Sequence, residues 1–147
     1  MARKIVLASG AFDLVHYGHI RFLEEAKKAG GEDSRLIVVV ARDKTVEKLK
    51  GKKPIIPENQ RRAVVESLKP VDEAILGYED ISLVETINKI KPDIIAVGHD
   101  QIDIEEDVKK IIAAGKMMIC IARIGRFGLA DLDSSSKIKR KILNESK

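Results

Sequence analysis

The sequence predicts an α/β fold built on a doubly wound sheet of parallel strands. One indication is a set of five short runs that are nearly continuous in apolar and β-branched residues, at 4–8, 35–41, 73–76, 93–97 and 117–122. Strands that are buried on both faces have this composition. The other indication is a set of helix-period stretches between these runs, near 18–29, 58–68, 82–90 and 104–114. Such alternation is typical of a parallel sheet with helices on both faces.

Residues that commonly begin or end helices support these boundaries. Gly30 follows the first helical stretch, Pro57 precedes the second and Pro92 follows the third. Residues 44–57 show no hydrophobic periodicity and contain several lysines, so they predict a mobile, solvated loop. A last helix is expected after the N-cap arrangement at 133–136.

The length and composition predict one domain, spanning residues 1–147, that is large enough to bury a core. With 44% hydrophobic and 34% charged residues, the composition is typical of soluble globular proteins. No apolar run is long enough to cross a bilayer and the N-terminus has no secretory signal, so we expect no membrane partner and a cytoplasmic location. The single cysteine, Cys120, lies in an apolar run and is expected to be buried and unreactive.

The charge distribution argues against a nucleic-acid partner. The net charge is only +4, and aromatic residues make up 3% of the chain. Binding of nucleic acid generally requires a broader basic surface and, for single strands, stacking aromatic side chains. The basic residues of the last helix, which include Lys139, are therefore expected to form a solvated face.

Residues 9–19 join the first predicted strand to the first helix and contain the side chains best suited to chemistry. Gly10 allows a tight turn, and Gly18 lies near the first helical turn, where unpaired N–H groups and the helix dipole favour an anion. His16 and His19 are three residues apart, so both imidazoles can reach one ligand from the helix N-terminus. They are expected to stabilise the charge that develops when a nucleoside triphosphate is cleaved at its α-phosphate.

Each histidine taken alone has a simpler explanation. A lone histidine is more often a hydrogen-bonded core residue, and His-x-x-His beside an aspartate is also compatible with a metal site. Five residues at fixed offsets after the first strand favour the catalytic interpretation: they are Phe12, Asp13, His16, Gly18 and His19. This pattern resembles the HxGH signature of the nucleotidyltransferase superfamily, and within it the cytidylyltransferase-type branch. Ala11 departs from that pattern, because the branch usually has Thr or Val there.

The resemblance implies a Rossmann-like, five-stranded sheet in the order 3-2-1-4-5. Ligands of such sheets bind beyond the carboxyl ends of the strands, where the strand order reverses. The crevice is then expected between Gly10 and Gly98, which follow the first and fourth strands. The resemblance also implies a nucleotide contact from Asp100. The nucleotide-binding candidates of the first turn are Gly10, Ala11, Phe12, Asp13, His16, Gly18 and His19.

Two basic residues are implied to orient the acceptor phosphate. The family uses a lysine of the segment after the second strand, which Lys52 or Lys53 matches. It also uses an arginine near the start of the following helix, which Arg62 matches. An ion pair with a glutamate one turn away is the ordinary explanation for Arg62, although the planar guanidinium suits phosphate.

The end of the chain is similar to the second signature of the family. The serines Ser134, Ser135 and Ser136 match the residues that hold the β- and γ-phosphates, although the usual Arg-Thr-Glu-Gly is absent. Arg126 or Arg123 is expected to add positive charge there.

The implied reaction is an in-line attack of an acceptor phosphate on the α-phosphate of a nucleoside triphosphate. Mg²⁺ or another divalent ion bridges the phosphates, and no protein metal ligand is expected. Residues 98–101 and 134–138 look most like those of enzymes that transfer AMP from ATP to FMN, which makes ATP and FMN the expected substrates. The alternatives are a CTP-dependent glycerol-3-phosphate cytidylyltransferase and a non-catalytic nucleotide-binding module. The resembling enzymes are commonly homodimers, so a homodimer is expected.

Overall fold

A computed structural model describes residues 3–77, 83–125 and 135–145. Within these residues the chain forms one sheet of five parallel strands, which are β1 (Ile5–Gly10), β2 (Arg35–Val40), β3 (Glu73–Leu76), β4 (Ile94–Val97) and β5 (Cys120–Arg123). The strand order is β3-β2-β1-β4-β5. The predicted α/β fold and strand order are confirmed.

Six helices lie in the described part of the chain: α1 (Tyr17–Ala29), α2 (Asp43–Lys50), α3 (Glu58–Glu66), α4 (Leu83–Ile90), α5 (Ile102–Gly115) and α6 (Ser135–Glu145). In this part of the chain, no helix has the length and apolar character needed to span a membrane.

Two apolar clusters hold helices to the two faces of the sheet. Leu23 of α1 and Val65 of α3 are buried in one cluster with Val6 of β1. Ile87 of α4 is buried in the other cluster with Leu7 of β1. Successive side chains of a strand point to opposite faces, which is why neighbouring residues of β1 belong to different clusters. The helices thus cover both faces and leave the carboxyl edge of the sheet for the connecting turns.

The structure corrects the loop predicted over 44–57, because the first part of this segment is helix α2. This helix has only eight residues and its buried residue is Val46, so its apolar pattern is too short to stand out in the sequence. Its ends are fixed by polar contacts instead. The Asp43 N–H donates to the Glu58 carboxylate over 2.9 Å. Gly51 ends the helix with a φ of 75°, the left-handed conformation that glycine adopts without strain.

Strand β5 is more exposed than its apolar composition predicts. It lies at the edge of the described sheet and pairs with β4. Cys120, which was expected to be buried, is an exposed free thiol, and Met118 just before the strand is 98% exposed. An edge strand and a central strand have similar apolar composition, so the pattern alone does not distinguish them.

Candidate active site

The turn after β1 is shaped by the Phe12 side chain. Phe12 has a φ of 53°, a left-handed conformation that costs a bulky residue about 1–3 kcal/mol. Its buried ring lies against Gly10, where a Cβ would come within 2.9 Å of the ring carbon Cε2. The centroid of the same ring is 5.1 Å from that of the His19 imidazole. Gly10 therefore makes room for the ring that supports His19.

His16 and His19 cap helix α1 through their Nδ1 atoms. The Gly18 N–H donates to Nδ1 of His16 over 3.1 Å, and the His16 N–H donates to Nδ1 of His19 over 3.2 Å. A ring nitrogen that accepts from an N–H bears no proton, so each ring is a neutral imidazole with its proton on Nε2. The Gly18 N–H lies in the turn that was expected to bind an anion, but in the structure it donates to His16.

The two imidazoles are stacked, with ring centroids 3.9 Å apart and an angle of 29° between the ring planes. Burial lowers the pKa of His19, and the nearby His16 and Lys50 lower it further, to about 3. His19 is therefore uncharged at neutral pH. An uncharged N–H donor binds an oxyanion more strongly as negative charge accumulates on it, which suits stabilisation of a transition state.

We expect the protein to lose stability as the pH falls from about 6.5 towards 3. In this range the unfolded chain protonates His19 at its ordinary pKa of 6.5, whereas the folded chain resists protonation until about 3. The free energy of unfolding should therefore fall by up to about 1.4 kcal/mol per pH unit through this group. Urea titrations between pH 7 and pH 4 should show a shallower fall for His19→Asn than for the wild type. Equal slopes would contradict the depressed pKa.

Asp13 is buried, and its carboxylate accepts three hydrogen bonds. The N–H groups of Ile55 and Ile56 donate over 2.9 Å and 2.8 Å, and the Lys139 ammonium of α6 donates over 2.6 Å. Burial alone would raise the pKa of Asp13, but the bonds from Lys139 and the two N–H groups outweigh it and hold the pKa below its usual value. Asp13 thus joins the turn to two other parts of the chain. Its predicted contact with the nucleotide stays a prediction.

Arg61 is a buried residue of the site's framework that was not among the residues predicted from the sequence. Its side chain is 0% exposed, and its guanidinium donates to the carbonyls of Ile56 over 2.8 Å and Ala11 over 2.6 Å. It also donates to the Asp43 carboxylate over 2.7 Å. Arg61 lies one turn before the buried Val65, and this spacing was the available signal that it faces inward.

Arg62, the residue predicted from the sequence, lies on a partly exposed face of α3 and contacts Glu66 and β3. Its guanidinium donates to the Glu66 carboxylate over 3.0 Å and to the Ala74 carbonyl over 3.3 Å. This is the surface ion pair that helical spacing predicts. The contact of Arg62 with an acceptor phosphate stays a prediction.

The structure adds Lys50 to the basic residues near the imidazoles. Its charge helps to lower the pKa of His19, which places it within electrostatic reach of that ring. Lys50 is in the last turn of α2, the helix that the sequence did not predict. Lys52 and Lys53 follow on an exposed stretch, and their contact with phosphate stays a prediction.

The ends of β1 and β4 are joined by Gln101. Its Nε2 donates to the Ser9 carbonyl over 2.9 Å, while its Oε1 accepts from the Gly98 N–H over 2.9 Å. These bonds place Gly98 beside the end of β1, at the edge where the sequence predicts the crevice. Asp100 is exposed in the same turn, and its contact with a nucleotide stays a prediction.

Arg123, at the end of β5, forms an ion pair with Glu105 of α5. Its Nε and Nη2 donate to the two carboxylate oxygens of Glu105, each over 2.5 Å. These bonds lower the pKa of Glu105 to about 2, although its burial acts in the opposite direction. Arg126 and Ser134, which were assigned to the polyphosphate, lie outside the described residues. Ser135 begins α6, and Ser136 is exposed in its first turn.

A divalent ion was expected to come with the substrate and to have no protein ligand. The described residues include no group of three His, Cys, Asp or Glu that could hold a metal. Both oxygens of Asp13 already accept hydrogen bonds. Mg²⁺ usually keeps several waters and binds through substrate phosphates and one or two carboxylates. The divalent ion that the resemblance implies stays a prediction.

Paired imidazoles lie at a helix N-terminus, at the carboxyl edge of a sheet with the order 3-2-1-4-5. A comparison with protein families is consistent with this arrangement. Residues 7–141 match the cytidylyltransferase-like family, and the chain belongs to it. Its relatives include proteins named FAD synthase. That of Methanothermobacter marburgensis is 50% identical over 141 residues, which cover 95% of this chain and 85% of the relative. That of Aciduliprofundum boonei is 45% identical over 139 residues, which cover 95% and 90%. The family resemblance found in the sequence is confirmed.

A similar crystal structure supports the same fold. It is described as a lipopolysaccharide core biosynthesis protein from Thermoplasma volcanium, and it is 42% identical to this chain. The superposition has a TM-score of 0.78 and covers 86% of this chain and all of that one.

Proposed function

We propose that this chain transfers AMP from ATP to FMN, giving FAD and pyrophosphate. The observation that carries the proposal is the pair of neutral imidazoles at the start of α1, each with Nδ1 bound to a backbone N–H. The choice of ATP and FMN agrees with the relatives named FAD synthase. It also agrees with the resemblance of residues 98–101 and 134–138 to FMN adenylyltransferases.

The reaction is a direct displacement at phosphorus. An oxygen of the FMN phosphate forms a bond to the α-phosphorus of ATP, and the bond from that phosphorus to the bridging oxygen breaks. Pyrophosphate leaves with the electron pair of the broken bond. The FMN phosphate is already an anion near neutral pH, so the protein need not remove a proton. Its task is to position the reactants and stabilise charge.

His16 and His19 stabilise this charge with their Nε2–H groups. Their Nδ1 atoms are fixed by backbone hydrogen bonds, so the rings need little reorganisation as the transition state forms. Because both rings are neutral, their interaction with phosphate grows mainly where charge develops. Lys50 adds a positive charge on the α2 side of the rings.

The other sequence-derived roles are part of the proposal. Lys52 and Arg62 orient the acceptor phosphate, while Arg126 and the serines Ser134, Ser135 and Ser136 hold the pyrophosphate moiety. The nucleotide lies against residues 10–13, Gly18, Gly98 and Asp100. A divalent ion bound to the phosphates of ATP would neutralise part of their charge. The active species is a cytoplasmic homodimer with one domain per chain.

We expect the acid limb of the pH–rate profile to come from the acceptor and not from His19. The dianion of a phosphate monoester takes up a proton near pH 6 and becomes a monoanion, whereas the pKa of His19 is about 3. The value of kcat/KM for FMN should therefore fall below about pH 6. The residual activity of His19→Asn should show the same midpoint. A midpoint that moves in this variant would assign the limb to His19.

Pyrophosphate release tests the proposed reaction and its substrates together. The protein is incubated with Mg²⁺ and each pairing of ATP or CTP with FMN or glycerol 3-phosphate. We expect pyrophosphate and FAD in equal amounts from ATP and FMN alone. Release from CTP and glycerol 3-phosphate would instead identify a cytidylyltransferase. ATP binding without release from any pairing would identify a non-catalytic nucleotide-binding module.

A further inference from the structure

We propose that the ion pair between Asp13 and Lys139 is a clasp that positions the basic segment, residues 51–57, and helix α6 around the histidine turn. Lys139 acts here as a positioning residue for nucleotidyl transfer. The inference rests on the proposed function only for the choice of ATP and FMN as test substrates.

The clasp brings three parts of the chain to one carboxylate. Asp13 belongs to the turn between β1 and α1, and it is 4% exposed. Its oxygens accept from the N–H groups of Ile55 and Ile56 in the basic segment. One of the same oxygens accepts from Lys139, which is 126 residues away in sequence. Separation or loss of any partner therefore changes the position of the others.

Electrostatics favours this pairing over an incidental surface contact. A buried carboxylate loses the solvation of its charge, so it requires a positive partner or several hydrogen-bond donors. Lys139 supplies the positive charge, and its side chain is 34% exposed. The neighbouring Arg140 is exposed. The sequence-based expectation of a uniformly solvated basic face on α6 is thus wrong at Lys139.

The clasp ties two parts of the chain to the histidine turn. It anchors Lys139, which lies one turn after the start of α6 at Ser135. It also fixes the end of the basic segment, which Arg61 holds a second time through the Ile56 carbonyl. Lys52 lies in this segment, close to the fixed end. Loosening the clasp should let both phosphate-binding regions drift from the histidine turn.

A double-mutant cycle distinguishes positioning through Asp13 from a direct contact of Lys139 with ATP. Lys139→Met should lower kcat/KM for ATP and for FMN by about tenfold or more, and Lys139→Arg should restore most of it. The matched control Arg140→Met should stay within about twofold of the wild type. In an Asp13→Asn background, Lys139→Met should lower kcat/KM further by a factor of less than about three. Equal, additive losses in both backgrounds, or no loss at all, would overturn the clasp.

Limited proteolysis tests the same inference without substrates. Trypsin cleaves after Lys52, and local opening of the basic segment controls access to that bond. We expect Lys139→Met to be cut there several-fold faster than the wild type and Arg140→Met, well below the melting temperature of each protein. Unchanged cleavage would overturn the clasp, and this readout decides the matter if Asp13→Asn does not fold. Failure of ATP and FMN to react in the wild type would refute the proposed function and leave this test intact.

Discussion

His16→Asn is expected to lower kcat by about 10²–10³ without lowering stability. Asn is among the preferred residues at a helix N-cap, and its Oδ1 stands close to where Nδ1 of the imidazole accepts from the Gly18 N–H. The cap of α1 is therefore kept. The Nε2–H donor is lost, and removal of one preorganised donor to a developing oxyanion has an effect of this size.

The comparison with His16→Ala separates catalysis from folding. Ala removes both the cap and the donor, so it should lose a similar factor in kcat and also about 1 kcal/mol of stability. Pyrophosphate release gives kcat, and urea unfolding gives the free energy of unfolding. A His16→Asn variant with near wild-type kcat would mean that the imidazole serves only as a cap.

Arg61→Met is expected to destabilise the protein by about 3–5 kcal/mol. The guanidinium of Arg61 is completely buried and bonds to two carbonyls and to Asp43. Met fills much of the space but donates no hydrogen bond, so the carbonyls of Ala11 and Ile56 lose their partner. Such a loss is a large fraction of the 5–15 kcal/mol that stabilises a typical domain.

The neighbouring Arg62→Met is the matched control. Arg62 is partly exposed and forms an i, i+4 ion pair with Glu66, a contact that contributes less than about 1 kcal/mol. Denaturant unfolding of the two variants at pH 7 should therefore differ by at least about 2 kcal/mol. Similar values for the two would show that Arg61 does not hold the turn and α2 together.

The sheet and the histidine turn could be predicted because their signals are local. Each central strand is a continuous apolar run, and the offsets of His16, Gly18 and His19 fix their place at the start of α1. Helix α2 could not be predicted in this way, because it buries only Val46 and depends on the distant Glu58 for its first turn. A helix this short has an apolar pattern of only one or two turns, which is a weak signal.

The polar framework of the site was harder to predict than the histidines themselves. Arg61 and Arg62 are adjacent, and a charged residue is seldom fully buried, so the helical spacing of Arg61 and Val65 is a weak signal for placing Arg61 inside. Lys139 lies in a run of basic residues that looks solvated, yet its partner Asp13 is at the other end of the chain. Burial and long-range pairing of charged groups depend on tertiary structure, which residue spacing does not specify.

Catalysis as proposed here depends on two neutral imidazoles that present Nε2–H donors at the start of α1. Nitrogen-15 NMR of ¹⁵N-histidine-labelled protein at pH 7 reports this directly, because protonated and unprotonated ring nitrogens resonate at different shifts. We expect His16 and His19, assigned by their Asn variants, to bear a proton on Nε2 and none on Nδ1. We expect His19 to keep this form down to about pH 4. A proton on Nδ1 of either ring at pH 7 would rule out the proposed role of that ring as a neutral Nε2–H donor.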